Sequence, residues 1–455
     1  MVKLIEIHII QNHSPSNINR DDLGAPKTCM FGGVPRARIS SQCIKRSIRN
    51  PASGVSAVSL NMREYLSTRT KQFPDLVEKA LKEAMQVAPD GDKLADDDLK
   101  KIVEAAGTIG KADDKKQQSE SEDEEEETAQ LISLLPDEVR GFVETLLKLK
   151  KQMPDDYEKF LSRKGGNIPG KGKRPRASEE FYELLRAART TPAVDTALFG
   201  RMTTSPAFED FEAAMEVAHA ISTHEVQNHV DYFTAVDDLA KGTGAGHVGE
   251  KQLNSATYYK YFSLDWEQLV ANLRPTKPEK GKDEDDQGFA NRMGKWEKTE
   301  APAKKLAARA LGHFIEAAAQ VVPSGMKKGH ANNNLPDGVL VEIKERNIPT
   351  NYANAFADPV ARSNERGMIS ESVARLGHYA GCVVNGYNIR STRLWFSPTG
   401  LRFQYRDIWA EDGDRAKAQD MAVHVKNLRE LVEKTIEETG YSWKDICPDA
   451  YKEDR

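Results

Sequence analysis

"NINRDDLGAPKTCMFGGVPRARISSQCIKRSIR", residues 17–49, carries seven Lys or Arg against two Asp in a chain whose net charge is −5. Gly32, Gly33 and Pro35 mark a turn, Arg36 to Ile39 reads as extended chain, and Ser40 or Ser41 caps a helix. On that helix Ile44 and Ile48, four apart, face a core, while Lys45 and Arg49 share another face. Just upstream, over residues 3–10, Ile5, Ile7 and Ile9 alternate with Glu6 and His8, the period-two pattern of a sheet strand. Strand, basic loop, strand and capped helix in succession predict a mixed α+β fold.

Further along, residues 63–159 have helical periodicity, interrupted by the acidic "SESEDEEEE" at 119–127, which is too charged to bury. A second interruption, "RKGGNIPGKGKRPR" at 163–176, holds six positive charges and no negative one. A third, of mixed charge with proline, spans 274–300. Strands are predicted at 194–202, 256–264 and 339–344, and helices at 208–222, 301–322 and 370–383. No repeat of 20 to 50 residues is visible, which argues against a solenoid. At 455 residues, more than one lobe is expected. Hydrophobic residues at 39% and charged residues at 30% give a globular balance with solvated insertions. Cys29, Cys43, Cys382 and Cys447 lack CxxC spacing, so neither a zinc knuckle nor a disulfide framework is indicated. The first residues, "MVKLIEIHIIQNHS", are interrupted by Glu6 and His8, and no run of about 18 apolar residues occurs. A cytoplasmic protein with no membrane partner is expected.

Several constellations have a chemical reading. Gly244, Gly246 and Gly249 have G-x-G-x-x-G spacing but follow a polar stretch instead of a buried strand, which favours a hairpin tip over a dinucleotide site. His224 and His229 are five apart, not in HExxH spacing, so no metal site is expected. Asp21 with Asp22, and Asp237 with Asp238, are paired carboxylates, of which Asp21 and Asp22 are read as turn and ion-pair residues beside the basic cluster. The cluster itself joins Arg and Lys charge, glycine amides and a helix start, the three things that grip a phosphate chain. Aromatics stand far downstream of it: Tyr232 and Phe233 in "VDYFTAVDD", read as a loop, and "YYKYF" at 258–262, whose alternation fits a half-buried strand.

Together "HSPSNINRDD", "FGGVPRARISSQCIKRSIR", "LFGRMTTS", "AHAISTHEV" and "DYFTAVDDL" occur in order and resemble the backbone subunit of the type I-E CRISPR surveillance complex Cascade, the CasC family of the RAMP superfamily. The resemblance covers residues 2–50 and 194–264. It implies a modified RNA-recognition-motif (ferredoxin-like) palm, a helical fingers lobe and a β-hairpin thumb. Residues 1–60 would begin the palm, 61–190 form the fingers, 191–265 supply a palm strand, helix and thumb, and 266–455 complete the palm. Several copies would line up head to tail on one CRISPR RNA (crRNA), presenting its bases to target DNA.

Carried over by residue, Arg20, Lys27, Ser40, Gln42, Lys45 and Arg49 resemble the crRNA-backbone contacts, with Arg46 beside them. Arg49 stands where the family pattern has Lys, which keeps the charge and changes the hydrogen-bond geometry. Arg201 resembles a further phosphate contact, Met202 an apolar wedge, and Tyr232, Phe233 and Thr234 the thumb-tip element inserted at a kink in the RNA. The implied partners are crRNA, target DNA, other copies of the chain and the large, small, 5′-handle-binding and crRNA-processing subunits, with a helicase-nuclease or other nuclease recruited. No catalytic residue, cofactor or metal is implied. Two enzymatic alternatives stay open: a type III-like backbone subunit cutting target RNA through Asp21 or Asp22, and a guide-processing endonuclease using His8 or His13. The basic loop at 163–176 would be an additional nucleic-acid contact.

Overall fold

In the computed structural model, residues 2–49, 61–87, 94–107, 109, 131–162, 177–187, 193–203, 207–208, 210–236, 245–278, 280, 285–361, 367–405 and 418–449 are described. The acidic run, the basic loop at 163–176 and the Asp237–Asp238 pair lie outside them. The chain divides into two compact units. One comprises Met1–Arg63, Met215–Glu267 and Lys305–Arg455; the other comprises Glu64–Ala214 and Gln268–Lys304. Among the described residues no helix is long and apolar enough to cross a membrane.

The first unit is built on a ten-stranded sheet whose main path runs β14-β11-β10-β1-β9-β7-β3-β2. In chain order these strands are β1 (Leu4–Ser16), β2 (Thr28–Phe31), β3 (Val34–Ile39), β6 (Met215–Val217), β7 (Ala220–Ser222), β8 (His229–Val236), β9 (Ala245–Asp265), β10 (Gly338–Lys344), β11 (Thr392–Phe396) and β14 (Val423–Val425). β6 and β8 also pair with β9, and β11 with β14 is the parallel pair. β12 (Gln404–Tyr405) and β13 (Gln419–Asp420) make a separate small ribbon.

β1 is longer than predicted because it is the middle strand, held antiparallel by β10 on one side and by β9 on the other. Its pairing shifts register between His13 and Ser16, and Pro15 falls in this irregularity, where a missing N–H breaks no ladder. Helices cover both faces. On one, Ile10, Tyr259, Tyr261, Leu340 and Trp395 pack with Val373, Leu376 and Ala380 of a helix at Met368–Gly386. On the other, Phe262 meets Phe314 edge-on at 5.4 Å, from a helix at Glu300–Gln320. Each Ile, Leu, Val or Phe among these, fully buried, contributes about 1.5–3 kcal/mol.

β2 and β3 form a two-residue hairpin in which Phe31 pairs with Val34. Gly32 and Gly33, read from the sequence as part of a turn, take φ of 60° and 79°, the double positive φ of a type I′ turn. Gly32 is also a close approach, since a Cβ there would lie 1.7 Å from the Ala357 carbonyl oxygen. Ser40 Oγ accepts the Cys43 N–H and so caps helix α1 (Ser41–Arg49).

Two predicted elements are corrected. Residues 208–222 hold β6 and β7, not a helix, because the long β9 offers them hydrogen-bonding partners that outweigh the helix propensity of their Ala and Glu. The expected strand at 194–202 is a helix at Val194–Phe199, with Val194, Ala197 and Leu198 buried at helical spacing; Gly200, at φ 80°, follows it. The run is too short for composition to separate the two forms.

The second unit is mainly helical. Its helices at Phe73–Val87, Asp96–Gly107, Pro136–Gln152, Pro154–Leu161 and Glu179–Ala187 enclose Phe73, Phe142, Leu146, Phe160 and Phe181. A short strand pair joins β4 (Thr68–Thr70) to β5 (Ile132–Leu134). Residues 193–203 and 207–214 belong here, not with the sheet.

Candidate nucleic-acid interface

The basic stretch folds as one piece. Asp21 Oδ1 accepts the N–H groups of Leu23 and Ala25 at 3.0 and 2.9 Å, closing a turn beneath an Arg20–Pro26 bridge. Asn17 Nδ2 donates to the carbonyls of Gly24 and Gln252, tying that turn to β9. Asn19 accepts twice, through its carbonyl from Lys27 N–H at 2.8 Å and through Oδ1 from Ser40 N–H at 2.9 Å. The loop is thereby fastened to the capped end of α1.

On this frame Ile44 and Ile48 turn inward as predicted. Arg20, Gln42 and Arg46 are exposed, Lys27, Lys45 and Arg49 are half-buried, and Ser40 is buried by its cap. Burial pulls the Lys45 ammonium below its usual pKa. The Cys43 thiol of α1, pushed up by burial, feels the opposing fields of Lys27 and Arg46.

Two of the seven basic residues have other duties. Arg36 is fully buried, and its guanidinium donates to the carbonyls of Phe31, Ser222 and Phe356, cross-linking the sheet to the segment beyond it. Arg38 contacts His219 Nδ1 at 3.3 Å. Sequence alone shows their charge but not their depth.

β8 and the first half of β9 pair from His229–Leu253 to Val236–Ala245, while β1 joins β9 only from Asn254 onward, so this arm continues past β1 as a two-stranded ribbon. Tyr232, Phe233 and Thr234 are exposed on β8, opposite Glu250, Gly249 and Val248. They therefore occupy a paired strand within the arm, not a loop and not its tip. Phe233 lies across Gly249, where a Cβ would come within 2.4 Å of its ring, and Lys251 Nζ stands 4.4 Å from the ring centroid. The last glycine of the G-x-G-x-x-G pattern is thus a seat for an aromatic ring. Lys251 was missed from the sequence, although the hairpin register places it beside Phe233.

Arg201 and Met202 belong to the second unit. Met202 is 90% exposed, as a wedge requires. The Arg201 side chain is instead buried. It pairs with Glu138 at 3.1 Å, donates to the Ser133 carbonyl and lies against Phe208 and Phe211. In this arrangement the guanidinium serves that unit's core instead of facing solvent. "YYKYF" is buried throughout, with Tyr258, Tyr259, Tyr261 and Phe262 at 5% exposure or less, so it packs and does not stack bases.

Both histidines considered for acid–base chemistry are buried in the sheet. His8 bonds Tyr259 Oη at 2.8 Å, and burial, followed by the charge of Lys260, pushes the His13 imidazole down to about 3. Among the described residues Glu6, His8 and Glu342 converge closely enough to consider a metal ion. Their charge is already matched: the Lys344 ammonium pairs with Glu6 and the Arg393 guanidinium with Glu342. Tyr352 Oη donates to Glu342 at 2.8 Å and Tyr261 Oη to Glu6. Burial alone would raise Glu342, but His8, Arg393 and Lys344 together hold it well below the usual carboxylate range. A dication there would add uncompensated charge, so the cluster is a buried ionic network.

The fold is shared with solved structures. One, described as "CRISPR RNA-guided surveillance complex, pre-nicking", superposes with a TM-score of 0.64 at 24% identity, over 96% of this chain and 100% of that one. A second, described as "CRISPR RNA-guided surveillance complex", gives 0.57 at 23% identity over 96% and 99%. No curated protein matches the chain. The model of the family described as CT1975-like protein, Cas_CT1975, matches residues 5–441, nearly the whole length, and the chain belongs to that family.

Proposed function

We propose that this chain is a non-catalytic backbone subunit of a CRISPR RNA-guided surveillance complex, gripping crRNA by its phosphates. The observation that carries the reading is the set Arg20 and Lys27, on a loop that Asn19 fastens to the cap of α1, with Lys45, Arg46 and Arg49 on α1 itself. Cations held on a rigid frame bind a ribose-phosphate chain without reading its bases, leaving sequence to Watson–Crick pairing with target DNA. The exposed aromatics of the β8–β9 arm supply faces against which displaced bases stack, and exposed Met202, in the other unit, offers a separate apolar contact. The fold shared with chains of CRISPR RNA-guided surveillance complexes supports the assignment. The finer reading, a type I-E complex with copies repeated along one crRNA, other Cascade subunits and a recruited nuclease, rests on the five sequence blocks.

The test is salt dependence. If about five phosphates are neutralised per copy, the log–log slope of single-stranded RNA affinity against salt is about −3.5. Replacing Lys45 and Arg49 by Ala flattens it by about one unit or more. An unchanged slope removes them from the interface.

A further inference from the structure

Besides its surface cations, the first unit keeps one inside. Lys260 of β9 stands opposite Ile9 of β1, is 2% exposed and reaches Gln11 Oε1, a neutral acceptor. Among the described residues no carboxylate lies within ion-pair distance of it. An ammonium taken out of water without a counter-charge is costly to hold, and burial brings its pKa down to about 8.

Its titratable surroundings bring no negative charge at neutral pH. From β1 it meets His13, neutral because burial keeps it so. From α1 it meets Cys43, a thiol kept protonated by burial, which Lys27 and Arg46 also reach. Lys45, on the same helix, is itself lowered by burial. α1 has no acidic residue in its first turn, where a carboxylate would ordinarily suit the helix dipole. Three cations, Lys27, Arg46 and Lys260, therefore act electrostatically on one side chain of α1.

We infer that Lys260 is a positioning residue of the RNA site: a buried cation beside α1 whose counter-charge is the phosphate chain held by the surface cations, so that strand binding and protonation of Lys260 are coupled. This rests on the proposed RNA-binding function and adds a proton to it. In the free chain Lys260 loses its proton as pH rises through about 8. A bound polyanion raises that midpoint. Below both midpoints binding takes up no proton. Between the two midpoints the neutral amine takes a proton from the buffer as the strand binds, and affinity falls with rising pH. A one-unit rise in the midpoint gives a loss of about fivefold between about pH 7 and about pH 9.

The experiment titrates the full chain with an oligouridylate of about 30 nucleotides at about pH 8, by calorimetry in two buffers of different ionisation enthalpy. The expected result is net proton uptake, retained in Lys45→Arg and lost in Lys260→Arg, which stays charged and whose affinity no longer falls across that pH range. Lys260→Met, folded by thermal melting, binds more weakly at about pH 7 and is likewise pH-independent. No uptake by the unmodified chain, or uptake that vanishes in Lys45→Arg, overturns the assignment while leaving RNA binding intact. Failure of the unmodified chain to bind at about pH 7 overturns the RNA-binding reading and this one with it.

Discussion

Asn19 Oδ1 accepts the main-chain N–H of Ser40 at 2.9 Å, and the same residue's carbonyl accepts Lys27 N–H at 2.8 Å. One side chain thus fixes where the loop bearing Arg20 and Lys27 lies relative to the helix bearing Lys45, Arg46 and Arg49. Asn19→Ala removes a partly buried bond and leaves the Ser40 N–H without its partner, at a cost of about 1–2 kcal/mol in stability. Every cation survives, so a charge-only interface would keep its RNA affinity. We expect a loss of several-fold, measured by fluorescence anisotropy beside a thermal melt.

Phe233 is 37% exposed on the arm and braced by Gly249 beneath and Lys251 beside it. A ring held this way is ordered before it meets a base. Phe233→Ala is expected to weaken RNA binding by about 1–3 kcal/mol if a base stacks there. Gly249→Ala pushes a methyl group into the ring and is expected to weaken binding in the same direction. Equal affinity of both variants and the unmodified chain in a filter-binding titration would remove the arm's aromatic from the interface.

His13 sets a pH dependence of stability. Its folded pKa, depressed to about 3, lies below the ordinary 6.5, so the unfolded chain binds the extra proton. Its contribution is complete above 6.5 and is lost as pH falls from there towards 3, with a slope of up to about 1.4 kcal/mol per pH unit. Urea midpoints of the unmodified chain and His13→Leu between these limits are expected to diverge, the substituted chain falling less steeply. Parallel curves would show that His13 protonates freely in the folded state.

Glu342 behaves as an acid of the opposite charge type with the same sign of effect. Its carboxyl is held below the ordinary 4.5, so its stabilising contribution is present above that value and fades as pH falls towards the depressed folded midpoint. Glu342→Gln leaves Arg393 facing a neutral amide in a buried site, with a loss of about 3 kcal/mol at neutral pH. The measurement is a denaturant midpoint at about pH 7, and a change below about 0.5 kcal/mol would mark the pair as dispensable.

Local rules read the hairpin glycines, the cap at Ser40, the inward Ile44 and Ile48 and the core of β1 correctly, because each depends on neighbours within a few residues. They failed where a distant partner decided the outcome. Residues 215–222 became strands only because β9 runs past them. Depth was the other blind spot. Arg36 and Arg201 look like phosphate ligands by type, yet one cross-links the sheet and the other pairs with Glu138. Lys260, inside an aromatic strand, gave no sign that its ammonium would lack a carboxylate.

Asp21 bears on the reading of this chain as an RNA-cutting subunit. Its Oδ1 already receives two backbone N–H groups, so the carboxylate is oriented towards its own turn. Such a group shapes the loop that carries Arg20. Asp21→Ala is expected to weaken guide binding by a few-fold through loss of that turn, whereas Asp22→Ala, exposed on the same loop, changes it little. Incubated with RNA complementary to the bound guide and Mg²⁺, the unmodified assembly is expected to leave the RNA whole. Regularly spaced cuts that vanish in either variant would replace the binding role with catalysis, because only a group acting on the scissile phosphate abolishes cleavage while guide occupancy persists.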